Sequence, residues 1–461
     1  MITTPNIVVI DNVETELLDI QNGFFKGGIP CLPIHYQYDL TNNQSGLDHV
    51  GLSNFKPRIV VSDLNLRDGS LSNTMELTKP IATILEKLNI EGPYVLIFWS
   101  AAPESVANVM NVLKERFYER INLPIHYTTI DKTQYSGAHN AIALKSKLEE
   151  IIYESKLFNA LLNWESRVAT AARETTNSLF KLTKPSQVTA EQNYQVLHTE
   201  KLQVVLAAIG NETTGVKNAL AEPEVALDSG LAPVLHDHLQ SLSEIPDRTI
   251  WLEAVPNIGK HVTYNQDVKA HLNSFYHIQE VNADASQSKR GSWVELNARY
   301  ISNPENLSKL EKNLGQRLKT ILHDEFLNSD LDTPANREAA RKATKLGFIE
   351  LSAECDQAQK KTKLHKFLLS ALIPIEHHRF TMFGEGETRK TKHAGIYRAP
   401  NLIINGQEYI VKVSFMYQMG AIPNIHKWLG APKFRLKDQI LADISYQCSQ
   451  HASRPGIIRF D

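Results

Sequence analysis

The chain has 461 residues, of which 42% are hydrophobic and 22% charged, with a formal net charge of -2. The length is more than one ordinary domain needs, and the composition lies in the usual globular range, so a large core forms without disulfides. The near-neutral balance gives no electrostatic footprint for nucleic acid. Three scattered cysteines, Cys31, Cys355 and Cys448, fit a reducing cytoplasm better than a secreted scaffold. The first residues, MITTPNIVVIDN, lack the basic segment and apolar core of a signal peptide, and no apolar run is long enough to span a bilayer.

Short apolar runs alternate with amphipathic stretches through the first third. NIVVID ends in Asp11, and VETELLDIQNGFFKGG then reads as a helix stopped at Gly27 and Gly28. GIPCLPIHY, RIVVSD, YVLIFWS and LPIHYTTID are four further strands, with helical spacing over 71–88 and 104–120. Such alternation predicts a parallel, doubly wound sheet. From His139 to about Leu182 the period is helical, with Leu144, Leu148, Ile151, Ile152, Leu161 and Leu162 on one stripe. That stripe reads first as core and second as a face for a homodimer. KLTKPSQVTAEQN is a linker, and 190–242 reads as helices broken at Gly210, Gly215 and Pro223.

From about Arg248 the pattern becomes α+β. LGFIELSAECDQAQKK, KFLLSALIPIE and LIINGQEYIVKVSFMYQ read as strands, with Asn405-Gly406 as a hairpin turn. Helices are expected over 303–328 and 437–450. The domains are therefore 1–150, a helical linker or interaction region over 151–245, and an α+β region over 246–461.

A parallel open sheet binds ligands beyond the carboxyl ends of its strands. Asp11-Asn12, Asp63, Ser100-Ala101 and Lys132 all fall there. Two acids, a hydroxyl and an ammonium suit phosphoryl transfer. A carboxylate can accept the phosphoryl group, and Mg²⁺ takes carboxylate oxygens. Lys and Ser can hold phosphoryl oxygens. In this reading Asp63 is the acceptor, Asp11, Asp63 and the Asn65 backbone carbonyl hold Mg²⁺, and Ser100 and Lys132 bind the phosphoryl group. Taken alone, Asp63 reads as a turn cap, and the four residues in chain order displace that reading.

On these residues the chain up to about 150 resembles the receiver domain of two-component response regulators. VVIDN, VVSDLNLRDG, IFWSAA and TTIDKTQ carry the likeness. The resemblance implies a five-stranded CheY-like (flavodoxin-like) fold with strand order 2-1-3-4-5, and a sensor histidine kinase as partner. Three departures stand out. Asn12 replaces a second acid, so the remaining metal position falls to the Asn12 amide oxygen or to Glu14. Thr133 follows the lysine where proline is usual. The stretch Asp39 to Lys56 is inserted before the third strand. No helix-turn-helix, kinase or cyclase pattern follows. A large receiver without a standard output resembles the stand-alone response-receiver proteins (DtcB-type) of Detocs anti-phage systems. That likeness implies a buffer of phosphate signalling beside a receiver-containing effector. The alternatives are a degraded pseudo-receiver that binds proteins, and an effector whose activity lies near Cys355.

Outside the receiver, Cys355 reads as a buried structural cysteine before a thiol nucleophile or a zinc ligand with His365, His377, His378 and Cys448. His198 reads as a surface histidine, and 376–395 as a loop without a phosphate-loop pattern. Arg454 and Arg459 read as packing or ion-pair residues.

Overall fold

The structure is a computed structural model. It describes residues 6–37, 46–52, 55–67, 73–100, 103–135, 138–189, 192–242, 248–282, 284–327, 333–381, 395–423 and 426–453. The chain forms two compact units, Met1–Thr176 with Leu235–Lys260, and Asn177–Val234 with His261–Asp461. Two of the three divisions fall inside long helices, and the third, at Lys260, lies between helices.

In the first unit the chain runs β1 (Ile7–Asp11), α1 (Glu14–Lys26), β2 (Leu32–His35), β3 (Ile59–Asp63), α2 (Thr74–Leu88), β4 (Val95–Trp99), α3 (Val106–Phe117) and β5 (His126–Ile130). The one-turn helix α4 (Lys132–Tyr135) follows, then α5 (Ala141–Glu154) and α6 (Lys156–Thr183). The five strands are all parallel, in the order β2-β1-β3-β4-β5. This is an α/β sheet consistent with the flavodoxin-like fold.

Both faces of the sheet are covered, which is why its strands are continuous β-branched runs rather than alternating ones. Val8, Ile10, Val60, Leu96 and Phe98 pack with α2 and α3 on one face. Val9, Val61, Ile97 and Trp99 pack with Leu17, Ile20 and Phe24 of α1 and Leu144, Leu148 and Ile151 of α5 on the other. Successive strand residues alternate faces, so Asp11 follows Val9, and Asp63 follows Val61, onto the α1 side. α1 stops at the two glycines read as its exit, and Gly28 takes φ +72. Of the insert, Leu47 and Phe55 are buried in the α2–α3 core.

Helices α7 (Tyr194–Thr214), α8 (Val216–Ala221), α9 (Pro223–Ser241), α10 (Arg248–Ala254) and α11 (Gln266–His277) follow. Gly215 and Pro223 divide them as expected. Gly210 does not break α7; it is buried within the helix and packs against Ala226 of α9. His198 is buried rather than a surface residue. Its Nε2 lies 2.9 Å from the Phe180 carbonyl and 3.0 Å from Thr183 Oγ1, and its Nδ1 lies 3.0 Å from the Tyr194 hydroxyl. Nε2 pins α7 to the end of α6, and Nδ1 is engaged by Tyr194 of α7 itself.

The rest of the second unit comprises β6 (Ile278–Glu280), β7 (Ser292–Leu296), α12 (Ala298–Ile301), α13 (Pro304–Leu314), α14 (Leu318–Ile321), a π-helical turn (Leu322–Phe326) and α15 (Pro334–Ala343). It continues with β8 (Lys345–Glu350), α16 (Glu354–Ala358), β9 (His365–Pro374), β10 (Ile396–Arg398), β11 (Leu402–Ile404), β12 (Gln407–Ala421), β13 (Leu429–Leu436) and α17 (Asp438–Ala452). Among the described residues the strands form an antiparallel sheet, β10-β12-β9-β8-β7-β13-β6, with β11 on β12. Asn405 and Gly406 both have positive φ, 49° and 77°, so the tight hairpin turn forms where expected. β8 stops at Glu350, and the following segment is the helix α16 instead of more strand.

Lys412 lies in the middle of β12, paired with Ala371 and Arg398, and is fully buried. Its Nζ donates to the Phe326 carbonyl at 3.0 Å, at the end of the π-helical turn. Burial first, and then Arg398, pushes its ammonium down to about 7 from the ordinary 10.5, although Glu325 opposes the shift. Unfolding restores the ordinary value. From about pH 7 to about pH 10 the unfolded chain therefore binds the extra proton, and stability rises with pH. The expected slope for the second unit is at most about 1.4 kcal/mol per pH unit. Urea unfolding near pH 7 and near pH 9 should show it, and Lys412→Met should flatten it. An unchanged slope in the variant contradicts this account.

Candidate functional site

The strand ends bring four of the predicted residues to one edge of the parallel sheet. Register places Ile10 beside Ser62, Asp63 beside Trp99, and Trp99 beside Ile130. Asp11 is fully buried, and Asp63 and Ser100 are each 5% exposed. The Ser100 N–H donates to the Ile130 carbonyl at 3.1 Å, which ties the loop after β4 to β5. Residues 101 and 102 lie outside the described part.

Asp11 Oδ1 accepts the Val13 N–H at 2.8 Å, while Oδ2 is buried with no hydrogen-bond partner among the described residues. Burial, opposed by that hydrogen bond and by Lys132, raises its carboxyl above the ordinary value. Asp63 is pushed up to about 6 by burial, against the lowering charge of Lys132 and with a further raise from Asp11. Two carboxylates thus share a dry edge and repel each other.

Lys132 answers that charge incompletely. It opens α4, and Asp131 sets the turn by accepting the Thr133 N–H at 2.9 Å and the Thr133 hydroxyl at 2.7 Å. Thr133 thereby helps to place the lysine. Lys132 Nζ lies 3.4 Å from Asp63 Oδ1 but 2.5 Å from Glu16 Oε2. Burial works against its charge, and is outweighed by the bond to Glu16 and by the charges of Asp63, Glu16 and Asp11, so its ammonium sits above the ordinary value.

Glu16 is the site residue that sequence reasoning missed. It sits in the first turn of α1, next to Leu17, the first residue of the buried stripe. An acid beside the start of that stripe, above the carboxyl ends of β1 and β3, was the signal available. Glu14, the substitute considered, is exposed at the first position of α1. Asn12 accepts the His35 Nε2–H on its carbonyl at 3.0 Å. Asn65 Oδ1 accepts the Arg67 N–H at 3.3 Å, closing an Asx turn just past Asp63.

A divalent cation fits this donor set on one observation above others, the buried and unsatisfied Asp11 Oδ2 beside a second buried carboxylate. Among the described residues no group of three or more His, Cys, Asp or Glu side chains is placed to hold a metal. Mg²⁺ commonly takes only one or two carboxylates and fills its shell with waters and phosphate oxygens, so a pair suffices.

The other candidates do not assemble. Cys355 is exposed on α16, contrary to the buried reading, because β8 has already ended. Cys448 is buried in the apolar cluster beneath α17. His365 is engaged by the buried carboxylate of Glu350, Nδ1 to Oε1 at 2.8 Å, and Ser352 also donates to that oxygen. His378 Nδ1 lies 3.2 Å from the Ile375 carbonyl. Arg454, Arg459 and most of the 376–395 loop lie outside the described residues. Among those described, no helix is long and apolar enough to cross a membrane.

The raised Asp63 value carries a sign. The native state holds that proton longer than the unfolded chain. Its contribution is full below about pH 4 and is lost as pH rises to about 6. Asp63→Asn should therefore stabilise the first unit near pH 7.5 by about 1–3 kcal/mol, and much less near pH 4. Thermal unfolding at the two pH values checks it. Equal effects at both would contradict the assignment.

Comparisons with models of known families, with curated proteins and with solved structures give no match to this chain.

Proposed function

We propose that the first unit is a Mg²⁺-dependent phosphoryl acceptor that takes phosphate on Asp63 from a partner sensor histidine kinase. The observation that carries this is the convergence of buried Asp11 and Asp63 with Lys132 at the carboxyl edge of the parallel sheet. Catalysis of phosphoryl transfer is mainly positioning and charge stabilisation, and this edge provides both.

Asp63 Oδ attacks phosphorus as the P–N bond of a phosphohistidine breaks, and the departing imidazole keeps the electron pair. The nucleophile must be ionised, and a value of about 6 leaves it so near neutral pH. Lys132 pairs with a phosphoryl oxygen, and the Ser100 hydroxyl donates to another. Asp11, Asp63 and the Asn65 backbone carbonyl would hold Mg²⁺, which supplies positive charge for the carboxylates and the phosphoryl oxygens. The added phosphate brings about two negative charges and changes the surface around Ser100 that partners meet.

The lack of a recognised output pattern after the receiver supports a buffering role, in which the chain drains phosphate that would otherwise reach a receiver-containing effector of an anti-phage system. One observation favours a second reading. Asn12 stands where another acid would strengthen cation binding, as in a docking module that has lost phosphorylation.

The two readings separate in one experiment. Incubation with the cognate kinase, ATP and Mg²⁺ should retard wild type on a phosphate-affinity gel. Asp63→Ala and chelation of Mg²⁺ should each abolish the shift, and Lys132→Ala should weaken it at least about tenfold. An unshifted wild type, or a shifted Asp63→Ala, would sink phosphorylation at this site.

A further inference from the structure

Lys132 is one ammonium among three acids, Asp11, Glu16 and Asp63. Its nearer partner is the outer one. Glu16 Oε2 lies at 2.5 Å with its side chain 41% exposed, and Asp63 Oδ1 lies at 3.4 Å with its side chain 6% exposed. The lysine is thus shared between a half-exposed acid on α1 and the buried acceptor on β3. An ammonium has three protons but one position, so strengthening one contact draws it from the other.

We propose that Glu16 is a positioning residue for Lys132. It holds the ammonium outward while Asp63 is unmodified and yields it when a phosphoryl group arrives. This rests on Asp63 being the phosphoryl acceptor, and goes beyond it by assigning the state of the lysine before transfer. The phosphoryl group carries more charge than a carboxylate and stands farther out from the strand end, so it outbids Glu16 for the same ammonium. Glu16 then loses its partner, and the charge of the first turn of α1 changes with the state of Asp63. The negative charge that holds the lysine outward comes from α1, through Glu16 Oε2.

The test uses the full-length chain and beryllium trifluoride with Mg²⁺, which mimics a phosphoryl group on a carboxylate, with affinity read by calorimetry. Glu16→Gln should tighten binding about threefold, the modest size expected of a half-exposed pair. Glu16→Asp keeps the charge and should stay near wild type. With Lys132→Met already present, Glu16→Gln should produce no further change, since its effect passes through the lysine. An equal gain in the Lys132→Met background, or no gain with Lys132 intact, overturns the proposal while leaving the acceptor role standing. A wild type that binds no beryllium trifluoride overturns both.

Discussion

Burying Asp11 and Asp63 at neighbouring strand ends creates a charge problem that organises the first unit. Each carboxylate is stripped of water, each is raised above its ordinary value, and one oxygen of Asp11 has no hydrogen-bond partner among the described residues. Lys132 alone cannot neutralise them, because Glu16 holds it more closely than Asp63 does. A fold seldom tolerates such a deficit without use for it. In the function proposed above, a divalent cation and a phosphoryl group together would convert the liability into a binding site.

The sheet makes the placement unavoidable. Both faces are covered by helices, so only the strand ends are open to a ligand, and alternation sends Asp11 and Asp63 to the α1 face together. The Asp131–Thr133 turn and the Ser100–Ile130 hydrogen bond then bring the other two predicted residues to the same edge. The second unit buries charge in a different way. Lys412 is accommodated by losing its proton near neutral pH and by donating to a carbonyl of the π-helical turn.

The first unit was legible because β-branched runs ending in polar residues are strong local signals, and each of Asp11, Asp63, Ser100 and Lys132 follows such a run. Glu16 was legible only as an acid beside the first residue of the buried stripe. Its importance comes from the packing of α1 with β1 and β3, which that local pattern does not encode. In the second unit the Asn405-Gly406 turn announced the hairpin it forms, since both residues tolerate positive φ. β6 and β10 escaped notice because three residues carry no period, and β13 because Gly430 and Pro432 interrupt its pattern. The exposure of Cys355 was misjudged for a related reason. The apolar strand before it ends at Glu350, where a buried carboxylate gathers Ser352 and His365, and the chain turns away from the sheet.

The central claim is that Asp63 becomes covalently phosphorylated. Borohydride reduction of the kinase-treated chain, followed by peptide mass spectrometry, tests it most directly, because it converts an aspartyl phosphate to homoserine. The account predicts homoserine at position 63, dependent on Mg²⁺. An unreduced Asp63 under conditions where the kinase transfers phosphate elsewhere in the chain would contradict it.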